Sequence, residues 1–238
     1  MRLAFISDIH GNSIALDAVL NDISKRKVDQ IYVLGDICYR GPEPKQSVNL
    51  VQSISTKVIK GNADEWLVRG IKKGEVPEAS FEIMEKERKW TLSQLEEKDI
   101  RYLDNLPSEI IEQAGNFRIH AFHAAPHSTF DVIQPYENDE VISKKLFVNE
   151  ADVYIYGHIH KPYVRYINGK CVVNIGSVGL PFDGIAKPSY AILDIDGTSF
   201  HVSIVRVGYE VQRVVNQIKQ FDYPNTEFMI SLLEKGST

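Results

Sequence analysis

Apolar residues recur along the chain at two periods, and the alternation between them outlines the architecture. Residues 2 to 7 (RLAFIS) form an apolar run of strand length. Asp8-Ile9-His10-Gly11-Asn12 ends it, and SIALDAVLNDISKRK follows with apolar positions 14, 16, 19, 20 and 23, close to helical spacing. Asn12 or Ser13 can cap that helix, because a short polar side chain there accepts from a free backbone N–H. The unit then recurs. IYVLG (31 to 35) reads as a buried strand, GDICYRGPEP as a turn-rich loop and PKQSVNLVQSI as a helix opened by Pro44. TKVIK (56 to 60) reads as a third strand, ending in Gly61-Asn62-Ala63-Asp64. Strands alternating with helices predict a mainly parallel, layered α/β sheet.

Residues 64 to 106 are charge-rich, with apolar positions around Trp90, Leu92, Leu95 and Leu103. This predicts a helical excursion that either packs on the sheet edge or forms a lid over a site. Beyond Pro107 the pattern turns to short strands: FRIHAFH (117 to 123), VYIYGHIH (153 to 160), VRYINGKCVVNIG and SYAILDIDGTSFHVSIVRV. The last two contain Asn168-Gly169 and Asp196-Gly197, which between apolar runs signal hairpins. No repeat or low-complexity tract interrupts the chain, and 238 residues suffice for one sizeable core. The expectation is a single domain over residues 1–238 with two sheets.

Composition narrows the function classes. Lys and Arg number 27 against 32 Asp and Glu, for a net charge of −5 and no dense basic block. Long nucleic acid, which needs a clustered basic footprint, is therefore not the expected partner; a small molecule is. Cys38 and Cys171 lie far apart and predict free thiols in a reducing compartment. With no signal-type leader and no apolar run of about 18 residues, the expectation is a cytoplasmic protein without membrane association. Nothing in the pattern specifies an oligomeric state.

Candidate chemistry sits at the strand ends. The first strand delivers Asp8 and His10, the second Asp36, the third Asn62, and two later strands His123 and then His158 and His160. The carboxyl ends of strands in an open α/β sheet line one rim, where ligands bind. Residues two apart on extended backbone also point the same way, so both pairs can converge on one point. Seven oxygen and imidazole donors without a cysteine suit Mn²⁺, Fe²⁺ or Zn²⁺ rather than a structural thiolate site. That is too many donors for one catalytic ion with an open position, whereas two ions sharing a carboxylate account for the number. His120, three before His123 and so on the other strand face, reads as structural, as do His127 and His201. Cys38 reads as packing.

The ordered blocks DIHGN, GDICYRG, GNAD, HAAP and GHIHKP resemble the calcineurin-like metallophosphoesterase superfamily, whose signature is D-x-H, G-D-x-x-x-R-G, G-N-H-D/E, a lone H and G-H-x-H. NIGSVGLPFDG (174 to 184) is similar to the segment that follows in its bacterial phosphodiesterase and diadenosine-tetraphosphatase-like branch. The resemblance implies a layered α-β-β-α sandwich of two mixed sheets flanked by helices. It implies that Asp8, His10, Asp36 and His160 hold one divalent ion and Asp36, Asn62, His123 and His158 the other, with Asp36 bridging. Arg40 stands where the family places an arginine that can contact substrate phosphate, and a guanidinium matches phosphate oxygens with a bidentate fork; a surface salt bridge is its plainer reading. The implied activity is hydrolysis of a small phosphodiester, with a hydroxide bridging the two ions as nucleophile. A dinucleoside polyphosphate is the alternative substrate, and a non-catalytic metal-binding scaffold the alternative class.

One position departs from the family. Its third block carries a histidine after Asn, often assigned to protonating the leaving group, and this chain has Ala63 there. General acid catalysis is worth about 10² to 10⁴ in rate. Its loss predicts a preference for aryl esters and phosphoanhydrides, whose leaving groups need no proton.

Overall fold

A computed structural model describes residues 1–54 and 57–237. The N-terminal alternation folds as β1 (Arg2–Ile6), α1 (Ser13–Lys25), β2 (Gln30–Val33), α2 (Pro44–Ser53) and β3 (Lys57–Val58). Asn12 caps α1, its side chain accepting from the Ala15 N–H at 3.1 Å. Pro44 opens α2, where a missing N–H costs nothing. Of the strand expected over 56 to 60, only Lys57–Val58 is paired, and Thr56 lies outside the described residues.

The helical excursion consists of α3 (Asn62–Arg69), α4 (Glu78–Ser93) and α5 (Glu97–Asp104), beginning at Asn62 rather than residue 64. Hydrogen bonds and an ion pair join its helices to one another and to the rest of the chain. The Tyr39 hydroxyl donates to the Met84 carbonyl at 2.8 Å, Arg88 Nε to the Trp66 carbonyl at 2.5 Å, and Lys45 on α2 grips Asp99 on α5 at 2.6 Å.

β4 (Glu109–Ala114), β5 (Phe117–Phe122), α6 (Asp139–Leu146), β6 (Val153–Tyr156), β7 (Tyr163–Ile167) and β8 (Lys170–Asn174) follow, then β9 (Ser189–Asp196), β10 (Ser199–Arg206), α7 (Val211–Gln220) and α8 (Thr226–Lys235). The turn between β7 and β8 puts both Asn168 and Gly169 at positive φ (51° and 79°), as a tight hairpin turn demands.

Two mixed five-stranded sheets result, in the orders β10-β9-β1-β2-β3 and β4-β5-β6-β8-β7. Strand alternation sorts the side chains into layers. Leu3 and Phe5 of β1 and Tyr32 of β2 meet Ile119, Ala121, Val153, Ile155 and Val173 of the second sheet, so the two sheets pack face to face. Ala4, Ile6 and Val33 point the other way, against Leu16 and Val19 of α1 and Val48 of α2. Tyr154, Tyr156 and Val172 likewise meet Ile142 and Leu146 of α6. This is the layered α-β-β-α sandwich. Cys38 lies in the helix-side core and Cys171 between the sheets, both buried as free thiols. No helix among the described residues is long and apolar enough to cross a membrane.

Candidate metal centre

The loops after β1, β2 and β6 bring Asp8, His10, Asp36 and His160 together, with one donor atom from each lying within 4.8 Å of the others. Asp8 Oδ1 stands 3.0 Å from His160 Nε2, and the two Nε2 atoms of His10 and His160 are 3.1 Å apart. Asp36 Oδ2 is 3.6 Å from His10 Nε2 on one side and 3.5 Å from His123 Nε2 on the other. Beyond it, His123 Nε2 and His158 Nδ1 each lie 2.9 Å from Asn62 Oδ1. All seven donors therefore form one continuous group, and Asp36 is its hinge.

Backbone carbonyls set the state of the imidazoles. Nδ1–H of His10 donates to the Tyr39 carbonyl at 2.9 Å, that of His123 to Leu34 at 2.7 Å and that of His160 to Leu180 at 2.5 Å. A carbonyl only accepts, so each neutral ring keeps its proton on Nδ1 and turns the Nε2 lone pair inward. Burial, and then the neighbouring His160 ring, hold the His10 pKa down to about 3. Burial and His123 hold His158 at about 3 as well. Both rings are neutral at ordinary pH, the form a metal requires.

Lone pairs from His10 and His160 thus face each other at 3.1 Å, beside a buried Asp8 Oδ1 that has no hydrogen-bond partner. Bare donors repel in this arrangement, and a cation among them turns repulsion into coordination. Burial alone would raise the Asp8 carboxyl, but the surrounding imidazoles, His160 foremost at 3.0 Å, bring it below the usual carboxylate range. Asp36 goes the other way, pushed well up by burial and then by Asp8 and Asp64. Nitrogen and carboxylate donors of this kind fit a borderline divalent ion.

The donors converge by a different route from alternation on extended strands. Among the described residues nine non-glycine positions have positive φ, and six of them are Asp8 (55°), His10 (49°), Asp36 (54°), Arg40 (69°), His158 (65°) and His160 (56°). A left-handed residue bearing a Cβ costs about 1–2 kcal/mol. Here loop-to-loop bonds hold the strained turns, among them Asp8 N–H to the Gly35 carbonyl (3.1 Å) and His10 N–H to the Asp36 carbonyl (2.9 Å). Glycines make room for the approach. A Cβ on Gly61 would lie 2.1 Å from Asp36 Oδ1, and one on Gly157 would lie 2.4 Å from Asp8 Oδ2.

Several contributors escape a reading of the sequence alone. Asp64, fully buried, accepts from the backbone N–H of Asp36 (2.8 Å), Ile37 (3.0 Å) and Gly61 (2.9 Å), so it ties the loop after β2 to the start of α3. Its signals in the sequence are its place at the end of the GNAD block and its position three residues past a helix-opening glycine. Phe182 stacks on His160 at 4.3 Å between centroids. Arg40 Nε lies 3.4 Å from Glu87 Oε2 on α4, and Asn225 Nδ2 donates to the other Glu87 oxygen at 3.2 Å. Glu87 is fully buried, so the Arg40 pair is not a surface salt bridge.

Ala63 donates its N–H to Asp36 Oδ1 at 2.8 Å, while its methyl is 1% exposed within the helix-side core. His120 is buried outside the group, bonded to Glu109 at 2.7 Å, and His127 and His201 are exposed.

Comparison with known proteins adds to this geometry. A family model for the calcineurin-like phosphoesterase superfamily domain matches residues 1–198. An uncharacterized protein of Methanocaldococcus jannaschii is 32% identical over 237 residues, covering 91% of either chain. A probable metallophosphoesterase of Methanothermobacter thermautotrophicus is 38% identical over 66 residues, 28% of this chain and 37% of that one. Of solved structures, a metallophosphoesterase from Sphaerobacter thermophilus is similar with a TM-score of 0.80 at 27% identity, covering 99% of both chains. A hypothetical protein from Pyrococcus horikoshii shares the fold with a TM-score of 0.85 at 24% identity, over 100% of this chain and 99% of its own.

Proposed function

The chain belongs to the calcineurin-like phosphoesterase superfamily, and from that premise we propose that it hydrolyses small phosphodiesters at a centre of two divalent ions. Asp8, His10, Asp36 and His160 hold one ion, and Asp36, Asn62, His123 and His158 the other. The observation that carries this reading is the meeting of the His10 and His160 ring nitrogens at 3.1 Å, with both Nδ1 positions already committed to backbone carbonyls. The ions, which are Mn, Fe or Zn by donor type, supply an acidified water and neutralise charge on the phosphoryl oxygens.

The chain's own residues do the rest. The Tyr39, Leu34 and Leu180 carbonyls hold three rings in the required tautomer. Asp64 fixes the Asp36 loop, and Arg40 offers its guanidinium to a phosphoryl oxygen as negative charge develops there. The net charge of −5 favours a small substrate over a nucleic-acid strand, and the free buried thiols suit a reducing, cytoplasmic setting.

Ala63 favours a second reading of the substrate, a dinucleoside polyphosphate, because a phosphate leaving group departs without a proton donor. A non-catalytic scaffold is disfavoured, since all seven donors are present and grouped. The test is hydrolysis of bis(p-nitrophenyl) phosphate by the purified protein with added Mn²⁺, Fe²⁺ or Zn²⁺. Turnover that disappears on chelation and returns with metal is expected; no turnover with any of the three would refute the enzymatic reading.

A further inference from the structure

We propose that the cavity between α4 and α8, beside Arg40, is a subsite for a planar aromatic group of the phosphoester, either a nucleobase or an aryl ring. This deepens the reading of the metal centre as a phosphoester-hydrolysing site and rests on it. The cavity measures about 420 Å³ and is walled by Arg40, Ser80, Ile83 and Met84 together with Asn225 and Phe228. Small-molecule sites span about 300–1,000 Å³ and pair apolar walls with a few polar groups. Ile83, Met84 and Phe228 provide the first, and Ser80 and Asn225 can face the polar edge of a ring.

Two further observations point to a ligand. Phe228 is 43% exposed, a large apolar ring left open to solvent, and the Arg40 guanidinium carbon stands 5.9 Å from its centroid. Arg40 itself is only partly engaged. Its Nε faces the buried Glu87 carboxylate at 3.4 Å as an ion pair without a hydrogen bond, and among the described residues no hydrogen bond of the guanidinium is formed. Asn225 holds the other Glu87 oxygen, so the anchor of the guanidinium is itself anchored. The result is a cation paired with a buried carboxylate and holding unused donors on the rim of an apolar cavity, an arrangement suited to a phosphate carrying a ring.

The same arginine joins the cavity to the metal centre. Its neighbour Tyr39 accepts the His10 Nδ1–H, and on its other side Gly41 packs so tightly on the His10 carbonyl that a Cβ there would lie 1.8 Å from the oxygen. On this proposal a phosphate touching Arg40 lies between the donor group, tied to the same loop through Tyr39 and Gly41, and the cavity. One substituent of a diester enters the cavity while phosphorus stays at the centre.

The experiment is calorimetric binding of adenosine 5′-monophosphate and ribose 5-phosphate to the Mn²⁺-treated full chain. The two share phosphate and sugar and differ in the base. Adenosine 5′-monophosphate is expected to bind about tenfold tighter or more, as one aromatic contact allows. Phe228→Ala, which removes the stacking ring, and Ala79→Trp, which fills the cavity from its exposed rim, should each bring the ratio to about one. Equal or undetectable binding of both ligands to the wild type, or a ratio that survives in both variants, overturns the subsite. Hydrolysis of bis(p-nitrophenyl) phosphate, assayed in parallel, reports on the parent reading separately. Base preference without hydrolysis supports the subsite and refutes the hydrolytic centre; hydrolysis without base preference refutes the subsite alone.

Discussion

The Nδ1–H of His10 donates to the carbonyl of Tyr39 at 2.9 Å, so the residue next to Arg40 decides which nitrogen of His10 faces the metal centre. The loops of the candidate metal centre and the arginine loop are therefore joined, and changes in one can be tested through the other.

Asp36 lies between the two halves of the donor group, 3.6 Å from His10 and 3.5 Å from His123. Asp36→Asn should lower metal occupancy on both sides, whereas His160→Ala should empty mainly one. Elemental analysis of metal-replete protein checks this, and a wild type that binds at most one ion per chain contradicts it.

Arg40→Ala should slow diester turnover while leaving metal content intact. Losing a charge-assisted hydrogen bond of about 1.5–3 kcal/mol corresponds to roughly ten- to hundred-fold in rate. Steady-state kinetics that match wild type on every substrate would remove Arg40 from the reaction.

The same substitution has a signature in stability. Burial raises the Glu87 pKa and Arg40 opposes that rise, so removing the guanidinium leaves a buried carboxyl with a still higher pKa. An acid whose folded pKa exceeds its unfolded value contributes full stability below the unfolded value and loses it as pH rises through the folded one. The stability deficit of Arg40→Ala should therefore grow as pH rises through the folded pKa of Glu87 in the wild type, which burial already sets above the usual carboxylate value, to about 3–5 kcal/mol if the carboxylate is left ionised. Thermal melts across pH measure it. In a Glu87→Gln background the pH dependence should vanish.

Gly61→Ala should weaken metal binding more than an ordinary surface substitution, because the added methyl meets Asp36 Oδ1 at 2.1 Å and His123 Cε1 at 2.8 Å. Titration with Mn²⁺ should show reduced affinity in both halves of the group. An unchanged titration would mean that the loop can shift without cost.

Ala63 should make the wild type sensitive to its leaving group. Across diesters of graded leaving-group pKa, rates should fall steeply as that pKa rises. A flat series would show that another group supplies the proton. Restoring histidine is no simple rescue, since the Ala63 methyl is buried in the core and overpacking costs about 1–3 kcal/mol. Ala63→His should melt at a lower temperature than wild type, even where it flattens the series.

The seven donors were legible in the chain because each sits in a short block at a strand end, where chemistry and spacing occur together. The reason they converge was not legible. Asp8, His10, His158 and His160 are left-handed rather than extended, held by bonds between loops that only the folded chain brings together. β4 stayed hidden because Ile110 and Ile111 are adjacent among polar residues; one is buried and the other 42% exposed, a pattern of weak contrast. The α6, α7 and α8 segments drew no separate expectation, since their apolar faces acquire meaning only against partners distant in sequence. Glu87 and Phe228 belong with them: their relation to Arg40 spans most of the chain.

Every donor of the metal centre falls between residues 8 and 160, inside the span that matches the family, whereas Asn225 and Phe228 lie past residue 198, where that match stops. The proposed subsite straddles that limit, taking Arg40, Ile83 and Met84 from within the matched span and Asn225 and Phe228 from beyond it. Exchanging the Phe228 side chain on α8 would move none of the seven donors, so the proposed selectivity can be varied apart from the proposed hydrolytic centre.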